Sequence, residues 1–368
     1  MQFVGYTKWA QLPESADALF AEATQDSIFF SRAWFENLSE HALAQGHSML
    51  LACVVDGPQV LAILPLMQDA DGQWESLGHL YSSLFSLLLA RHDQAATLAC
   101  LAKGLQQLPL EAVRLAPVAE QDANLQGLQQ ALGECGYACH RYFRFYNWIH
   151  RLQGQSFTDY MDSRPSRVRN TIARKQRKLA REHGYRIALY TDRELDKGLA
   201  DFNTVYAASW KAKELFNDFI SDLTQRLADQ GWLRLAVLYI AEQPAAAQFW
   251  FVSGRKASIF KLAYDETWKP YSPGSILIAY LMEHVIEVDK VEEIDFLTGN
   301  DTYKQDWMTE RRVRWGLVCG KPHKPRGRAQ RLLGILKNWT RQRLPFASAQ
   351  HLSLNEPSRT NPAGLPTS

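Results

Sequence analysis

The order of predicted elements between residues 233 and 298 constrains the fold of this chain most. Three apolar segments separated by short turns read as strands: 233–241, 245–252 and 257–264. A tight loop at 270–274 then opens a helical segment at 275–287, and another strand follows at 292–297. A meander of strands that feeds one loop, one helix and one returning strand predicts a layered α+β domain.

A strongly basic segment precedes this meander. Residues 164–186 hold nine Lys and Arg residues and one acid, Glu182. The stretch 166–183 contains neither Gly nor Pro and stops at Gly184, which favours a helix. Its apolar stripe is narrow: Val168, Ile172 and Leu179. A solvated surface helix is the alternative, but such helices usually mix charge signs. We therefore expect an anion-binding face.

The loop at 270–275 is a candidate phosphate site. Its residues stand directly before a helix, whose first turn presents free N–H groups and the positive end of the helix dipole. The candidate binding residues are Tyr271, Ser272, Gly274 and Ser275. The spacing matches neither the P-loop nor the Gly-x-Gly-x-x-Gly pattern, so an ordinary helix start is the alternative.

The segment 292–307 places several reactive side chains within a few residues. A strand delivers Asp295, and the chain then turns through Gly299 to Tyr303 and Lys304. A carboxylate, a hydroxyl and an ammonium group supply a base, an acid and a cation for developing negative charge. The alternative is a polar turn at a strand end with Trp307 packed beneath it.

Charge is divided unevenly along the chain. The formal net charge is +2, which excludes a histone-like or polyanionic protein. Residues 1–150 carry a net charge of −8 and the remainder +10, so the two halves are expected to contact different partners. No apolar run is long enough to span a membrane, and no signal peptide is expected.

Five scattered cysteines favour reduced thiols and a cytoplasmic location. Cys135, Cys139 and His140 stand close together, but a second pair of ligands with zinc-finger spacing is missing, so no metal site is expected.

Taken in order, these segments resemble the BioF2-like acetyltransferase domain, which belongs to the GNAT-related family named for a cellulose-biosynthesis protein. They are also similar to the Fem peptidyltransferases. The resemblance covers about residues 150–310, and two motifs are most specific: Ser-Pro-Gly at 272–274 and Asp-Phe-x-x-Gly-x-x-x-Tyr-Lys-x-x-Trp at 295–307.

The resemblance implies tandem GNAT-like domains, each a mixed central sheet flanked by helices. It divides the chain into a degenerate N-terminal GNAT-like domain at 1–150 and an acyltransferase domain at 151–323. A basic amphipathic helix at 324–345 and a disordered tail at 346–368 are expected to follow.

The resemblance also implies a reaction: transfer of an acetyl or acyl group from acyl-CoA to an amine of a sugar or amino-acid derivative, in polysaccharide or cell-envelope synthesis. It assigns catalysis to Lys304, Tyr303, Asp295 and Tyr264, and coenzyme A binding to Tyr271, Ser272, Gly274 and Ser275. The expected acceptor residues are Arg167, Asn170, Arg174 and Asp265. Asp265 and Asp301 are equal alternatives to Asp295 as the base.

Other donors and functions stay open. The loop keeps only Gly274 of the usual glycine-rich form, so an acyl carrier protein or an aminoacyl-tRNA is an alternative donor. A Fem-like aminoacyltransferase and a non-catalytic anion- or nucleic-acid-binding protein are the competing functions. Nucleic acid is not favoured, since the basic segment lacks interleaved aromatic residues.

The basic segment at 327–344 carries Leu and Trp on one face. It is expected either to dock on its own domain or to contact anionic lipid peripherally, on the inner face of the membrane.

Overall fold

The computed structural model describes residues 1–322. The first half of the chain alternates strands and helices, as follows: β1 (Gln2–Tyr6), α1 (Ala16–Asp26), α2 (Arg32–His41), β2 (Ser48–Asp56), β3 (Gln59–Gln68), β4 (Trp74–Ser76), β5 (Leu88–Leu89), α3 (Gln94–Gln107), β6 (Ala112–Ala119), α4 (Ala123–Glu134) and β7 (Ala138–Arg151). Short 3-10 helices lie at Trp9–Gln11 and Ile28–Phe30.

The second half contains the predicted meander and crossover. Its elements are α5 (Phe157–Asp162), α6 (Ser166–Glu182), β8 (Arg186–Tyr190), α7 (Leu195–Ala207), α8 (Asn217–Asp229), β9 (Leu233–Ile240), β10 (Gln243–Ser253), β11 (Lys256–Tyr264), α9 (Pro273–Glu287), β12 (Glu293–Thr298), α10 (Lys304–Trp307) and β13 (Glu310–Gly320). A 3-10 helix at Glu266–Tyr271 connects β11 to α9.

One mixed sheet runs through both halves. Its strand order is β1-β2-β3-β4-β6-β13-β7-β12-β11-β10-β9-β8, and β5 pairs with β3 outside this path. Helices flank the sheet and bury two apolar clusters. The predicted α+β class, with mixed sheets flanked by helices, is confirmed.

The strand β13 joins the two halves and was not expected from the sequence. It lies between β6 of the first half and β7, antiparallel to both. Its register places Cys319 directly opposite Cys139, and a disulfide joins these residues. This differs from the expected reduced thiols, because the partners lie 180 residues apart in sequence and only the strand pairing brings them together.

The helix α6 forms as predicted and ends where Gly184 adopts a left-handed φ of 67°. Its three apolar residues, Val168, Ile172 and Leu179, are buried in the second cluster, which also contains the apolar helix α9. The burial of this narrow stripe leaves most of the basic side chains of α6 at the surface.

The β10–β11 turn approaches the first half closely. A Cβ at Gly254 would lie 2.1 Å from the Gln25 carbonyl oxygen, and the φ of 55° there also favours glycine. Beside it, the Lys256 ammonium donates to the Asp26 carbonyl at 3.1 Å. These contacts fix one end of the second half against α1.

None of the described helices is both long and apolar enough to cross a membrane. The predicted amphipathic helix at 324–345 and the tail at 346–368 lie outside the described residues.

Candidate active site

The strands β11 and β12 diverge and open a wedge in the sheet. They are parallel, but they pair only where Lys256–Ser258 meets Glu293–Asp295. Beyond that point β11 continues to Tyr264 and β12 to Thr298 without pairing to each other in the described chain. Alternate residues of β11 therefore turn backbone N–H and C=O groups toward the wedge.

A β-bulge distorts β11 at the same place. Its register with β10 moves from Lys261 opposite Phe249 to Ile259 opposite Trp250, so Phe260 has no partner across the ladder. A bulge bends a strand and changes the direction of its side chains. Here it lies directly beside the mouth of the wedge.

The far wall of the wedge contains a strained residue. Leu297 is buried and adopts a left-handed φ of 50°, a conformation that bulky residues rarely take. Its N–H donates to Asp295 Oδ1 at 2.6 Å, and its carbonyl accepts from Asn147 Nδ2 at 2.8 Å. Strain of this kind persists only where neighbouring groups enforce it, and it is concentrated at functional sites.

Lys304 closes this turn from the other side. Its buried ammonium donates to the carbonyl oxygens of Phe296 at 2.9 Å and Thr298 at 2.6 Å, and lies 3.7 Å from Asp301 Oδ2. Gly299 leaves room for it, since a Cβ there would lie 3.2 Å from the Lys304 Nζ. Burial lowers the pKa of Lys304 to about 8, although the Asp301 charge opposes the shift.

Asp295 lies beneath the turn. Besides the Leu297 N–H, it accepts hydrogen bonds from Asn147 Nδ2 at 2.6 Å and from Arg312 at 2.7 Å. Burial would raise the pKa of its carboxyl, but the Arg312 and Arg314 charges and the Asn147 bond hold it below the usual value. The carboxylate thus stays ionised with both oxygens engaged, an arrangement that positions the turn.

A second polar cluster, which we call the lysine cluster, faces the β11 wall. It consists of Lys211, Glu214, Lys261 and Tyr81. The buried Lys261 ammonium pairs with Glu214 at 2.5 Å and lies 4.3 Å from the centre of the Tyr81 ring. Tyr81 in turn donates its hydroxyl to Glu214. Tyr81 belongs to the first half of the chain, so both halves build the site.

Lys211 is the least constrained cation of the cluster. Its side chain is partly exposed, and its ammonium has no hydrogen-bond partner among residues 1–322. Loss of water contact lowers its pKa to about 8, and the charges of Lys261 and Lys304 lower it further against the opposing carboxylates of Asp301 and Glu214. The ammonium lies 5.7 Å from the centre of the Trp210 ring and 5.9 Å from that of Tyr206. With a pKa of about 8, an appreciable fraction of the amine is neutral near physiological pH, and that fraction can accept a proton.

Sequence reasoning missed the lysine cluster. Lys211 and Glu214 lie in the connection between α7 and α8, and Tyr81 lies in a loop of the first half. No local spacing links these residues to β11. The one available signal was Lys261, a lysine within an otherwise apolar strand.

The predicted aromatic residues are spread along the wedge. Tyr264 ends β11 with its ring centre 4.5 Å from that of Trp210, and burial raises its pKa. Tyr303 packs on Phe296 with ring centres 6.0 Å apart, and burial together with the Asp301 charge raises its pKa. Both hydroxyls therefore keep their protons at neutral pH.

The loop before α9 offers fewer backbone donors than a typical phosphate site. Ser272 has a left-handed φ of 53°, and its carbonyl accepts the N–H groups of both Ser275 and Ile276. Pro273 has no N–H, which leaves Gly274 as the available donor of the first turn. The buried Gly274 carbonyl accepts from Gln248 at 2.9 Å.

The predicted residue Asp265 is used locally. It stands at the N-cap of the 3-10 helix before α9, and its Oδ1 accepts the Thr267 N–H at 2.9 Å. This cap sets the start of the loop and engages one oxygen of the carboxylate; the acceptor role of Asp265 stays a prediction.

The helix α6 packs against the loop and surrounds it with positive charge. Tyr271 donates its hydroxyl to Glu182 at 3.0 Å, and that hydrogen bond raises its pKa. The Lys178 ammonium lies 4.7 Å from the Tyr271 ring centre, and Lys175 donates to the Pro270 carbonyl.

Of the predicted acceptor residues on α6, Arg167 pairs with Asp306 next to Lys304. Asn170 and Arg174 are exposed on the same helix. The structure thus places Arg167 beside the strained turn, whereas the other two lie on the open surface.

The wedge, the bulge and the loop–helix unit define the class of this protein: it has the GNAT-like acyltransferase fold. Residues 166–305 match the family model described as an acetyltransferase (GNAT) domain. Its description does not name the BioF2-like domain, so that narrower resemblance stays a prediction.

Solved structures extend the likeness over both halves. The crystal structure of FemX superposes with a TM-score of 0.61, and the two sequences are 10% identical. The match covers 92% of this chain and all of the FemX chain. L-PGS from Bacillus licheniformis is 12% identical in sequence, with a TM-score of 0.54. The match covers 89% of this chain and 96% of the L-PGS chain.

A tandem GNAT protein of the clavulanic acid biosynthesis pathway is also 12% identical in sequence, with a TM-score of 0.52. The match covers 88% of this chain and 99% of that protein's chain. At these identities the comparisons establish the fold alone. No curated protein sequence matches the chain significantly.

Proposed function

We propose that this protein transfers an acyl group from acyl-CoA to an amine of a sugar or amino-acid derivative, in the wedge between β11 and β12. The observation that carries the proposal is the divergence of the two strands after Ser258 and Asp295. It leaves a line of backbone donors on β11 between the phosphate-site loop and the lysine cluster. A thioester that enters there meets a hydrogen-bond donor for its carbonyl oxygen and a base for the attacking amine.

The step balances as a direct transfer. The amine nitrogen attacks the thioester carbonyl carbon, the new C–N bond forms and the C–S bond breaks. Lys211 accepts the proton that the amine loses, since its side-chain nitrogen makes ring contacts but no hydrogen bond within residues 1–322, and its pKa is about 8. The hydroxyls of Tyr264 and Tyr303 keep their protons and donate hydrogen bonds to the leaving thiolate, which the proton from Lys211 then neutralises.

Lys304 and Asp295 hold the far wall of the wedge. Lys304 binds the carbonyl groups on both sides of Leu297, and Asp295 binds the Leu297 N–H. Their role in this proposal is to keep the strained turn in place beside the reacting atoms. This keeps both predicted residues in the site but assigns proton transfer to Lys211.

The acceptor carries a negative group in this proposal. Three lysines, at positions 211, 261 and 304, face two carboxylates, Glu214 and Asp301. With Lys211 neutral as the base, the other two lysines are balanced by these carboxylates, so the preference for a phosphate or a carboxylate on the substrate rests on the basic face of α6.

A second candidate is a Fem-like aminoacyl transfer from aminoacyl-tRNA. The loop before α9 offers the Gly274 N–H where pyrophosphate binding uses several donors. The neighbouring face of α6 instead presents a row of basic side chains, a surface that fits a larger polyanion. An acyl carrier protein, as an acidic partner, is compatible with the same face.

The donors are distinguished by a thiol-release assay. Acetyl-CoA is incubated with a panel of amino sugars and amino acids, and free coenzyme A is measured for the wild type, Lys304→Ala and Lys290→Ala. The proposal is supported if thiol release depends on the amine, is abolished in Lys304→Ala and is retained in the exposed control Lys290→Ala. Circular dichroism confirms that both variants fold.

Absence of thiol release and of thermal stabilisation by coenzyme A would exclude the first candidate. Stabilisation by aminoacyl-tRNA that falls steeply with salt would then support the second.

A further inference from the structure

A small cavity lies behind the strained turn, on the side that faces the first half of the chain. Its volume is about 20 Å³, enough for one water-sized group. Six of its lining residues matter for the inference: Ser83, Lys256, Ser258, Asp295, Arg312 and Arg314. Ser258 and Asp295 stand where the wedge begins, so the cavity lies behind the wedge, and the loop before α9 contributes no residue to it.

Arg314 is the residue that sets the chemistry of this cavity. Only 5% of its surface is exposed, although a guanidinium group strongly prefers water or a charged partner. One hydrogen bond joins its terminal nitrogen to Asn147 Oδ1 at 3.2 Å, and its Nε has no partner in the described chain. Burial and the nearby Arg312 lower its pKa to about 10, so it remains charged at neutral pH.

The carboxylates nearby do not balance the positive charge. Arg312 binds both Glu293 at 3.1 Å and Asp295 at 2.7 Å, and Lys256 lies 3.5 Å from Glu293. Three cations therefore share two carboxylates around the cavity, and Arg314 is the one without a direct ion pair. A buried charge without a counter-ion is strongly unfavourable.

We propose that this cavity binds one small monovalent inorganic anion, of about the size of chloride, between Arg314, Lys256 and the Ser258 hydroxyl. The anion balances the third positive charge. The single unbalanced charge favours a monovalent anion over phosphate or sulfate, and the volume of about 20 Å³ favours a small one. Since Asp295 and Ser83 also line the cavity, and Ser83 shares a hydrogen bond with Thr298 at 2.9 Å, the anion stabilises the support of the strained turn.

The test is anion-specific thermal stability. Unfolding midpoints are measured from 5 to 200 mM sodium chloride, with sodium gluconate holding the ionic strength constant because gluconate is a bulky, weakly coordinating anion. The wild type is expected to gain about 3 °C across the chloride series, the response of a saturable site. Arg314→Met should lose the chloride-specific gain. Arg311→Gln removes the same charge from an exposed position on the same strand, and this variant should keep the chloride-specific gain.

Ser258→Ala provides a second variant if Arg314→Met does not fold. It removes one donor without disturbing an ion pair. The chloride concentration that gives half of the maximal stabilisation should rise at least about threefold, a typical effect of one hydrogen bond. Crystals soaked in bromide should show an anomalous peak next to Arg314. Equal midpoints in chloride and gluconate for the wild type, with no bromide peak, would show that water alone fills the cavity and would overturn the proposal.

Discussion

The two polar clusters on either side of the wedge differ in how fully their groups are partnered. Around Leu297, Asn147 uses both ends of its amide: Nδ2 donates to Asp295 and Leu297, and Oδ1 accepts from Arg312 and Arg314. In the lysine cluster, Lys211 has no hydrogen-bond partner within the described residues. The four hydrogen bonds of Asn147 hold one geometry, whereas an ammonium without a hydrogen-bond partner remains available to a substrate. We infer that the first cluster supports the site and that the second reacts.

The largest expected effect is on stability, and it comes from the hydrogen bonds of Asn147. Asn147→Ala removes four hydrogen bonds at once and leaves buried charges without partners, so it should lower the free energy of unfolding by about 3–5 kcal/mol. Urea denaturation followed by circular dichroism measures this change. Asn300→Ala removes one exposed hydrogen bond, from the Trp148 indole near the same turn, and should change stability by no more than about 1 kcal/mol. Similar losses for both variants would show that the network gives no special support.

The next effect is on activity, and it comes from the lysine cluster. Lys211→Ala should reduce the transfer rate by about 10²- to 10⁴-fold, the usual contribution of a general base, without loss of stability. Lys213→Ala removes an exposed lysine two residues further along the same loop and should leave the rate unchanged. Steady-state kinetics and a thermal melt of each variant separate the two roles. If Lys211→Ala retained the wild-type rate, Lys211 would not be the base.

The pH dependence sharpens the role of Lys211. Because its pKa lies near 8, the neutral amine becomes the major form above that pH, and the rate should rise between pH 7 and 9 with an inflection near 8. Lys261→Met removes a positive neighbour and leaves Glu214, which should raise the pKa of Lys211 and move the inflection upward by about one pH unit. An unchanged inflection would mean that another group controls the rate.

The smallest expected effect is at the exposed face of α6. Arg174→Gln should weaken binding of the anionic donor by about two- to fivefold at low salt and hardly at all at 500 mM salt, since exposed charges are screened. Arg193→Gln removes another exposed arginine, outside α6, and serves as the control. Titrations at 50 and 500 mM salt measure both. Equal weakening by the two variants would argue for net charge rather than for the α6 face.

The sequence was most informative where the chain is locally periodic. The bounds of α6, α9 and strands β9 to β12 follow from apolar spacing and from glycine and proline at the ends, and the observed elements differ from them by two residues or fewer. The motif also indicated that Lys304 follows β12 closely; the structure places it at the start of α10, with its ammonium on the carbonyl groups of Phe296 and Thr298.

Long-range pairing was beyond such reasoning. β13 joins strands more than 150 residues away, and nothing in its own pattern indicates where it inserts. The lysine cluster depends on the same kind of contact, since Tyr81 and Lys261 meet only after the two halves dock. Asp295 shows a third limit. The sequence indicated that Asp295 lies on a strand leading into the site, but it gave no sign that Arg312 and Asn147 bind its carboxylate oxygens.

The most direct test of the central claim is a crystal structure with a bound, non-hydrolysable acyl-CoA analogue. The account predicts that the thioester mimic lies in the wedge, with its carbonyl group against the β11 backbone near Phe260 and its reacting carbon facing Lys211. A pantetheine arm that lies outside the wedge, or an acyl group that binds in the first half of the chain, would contradict it.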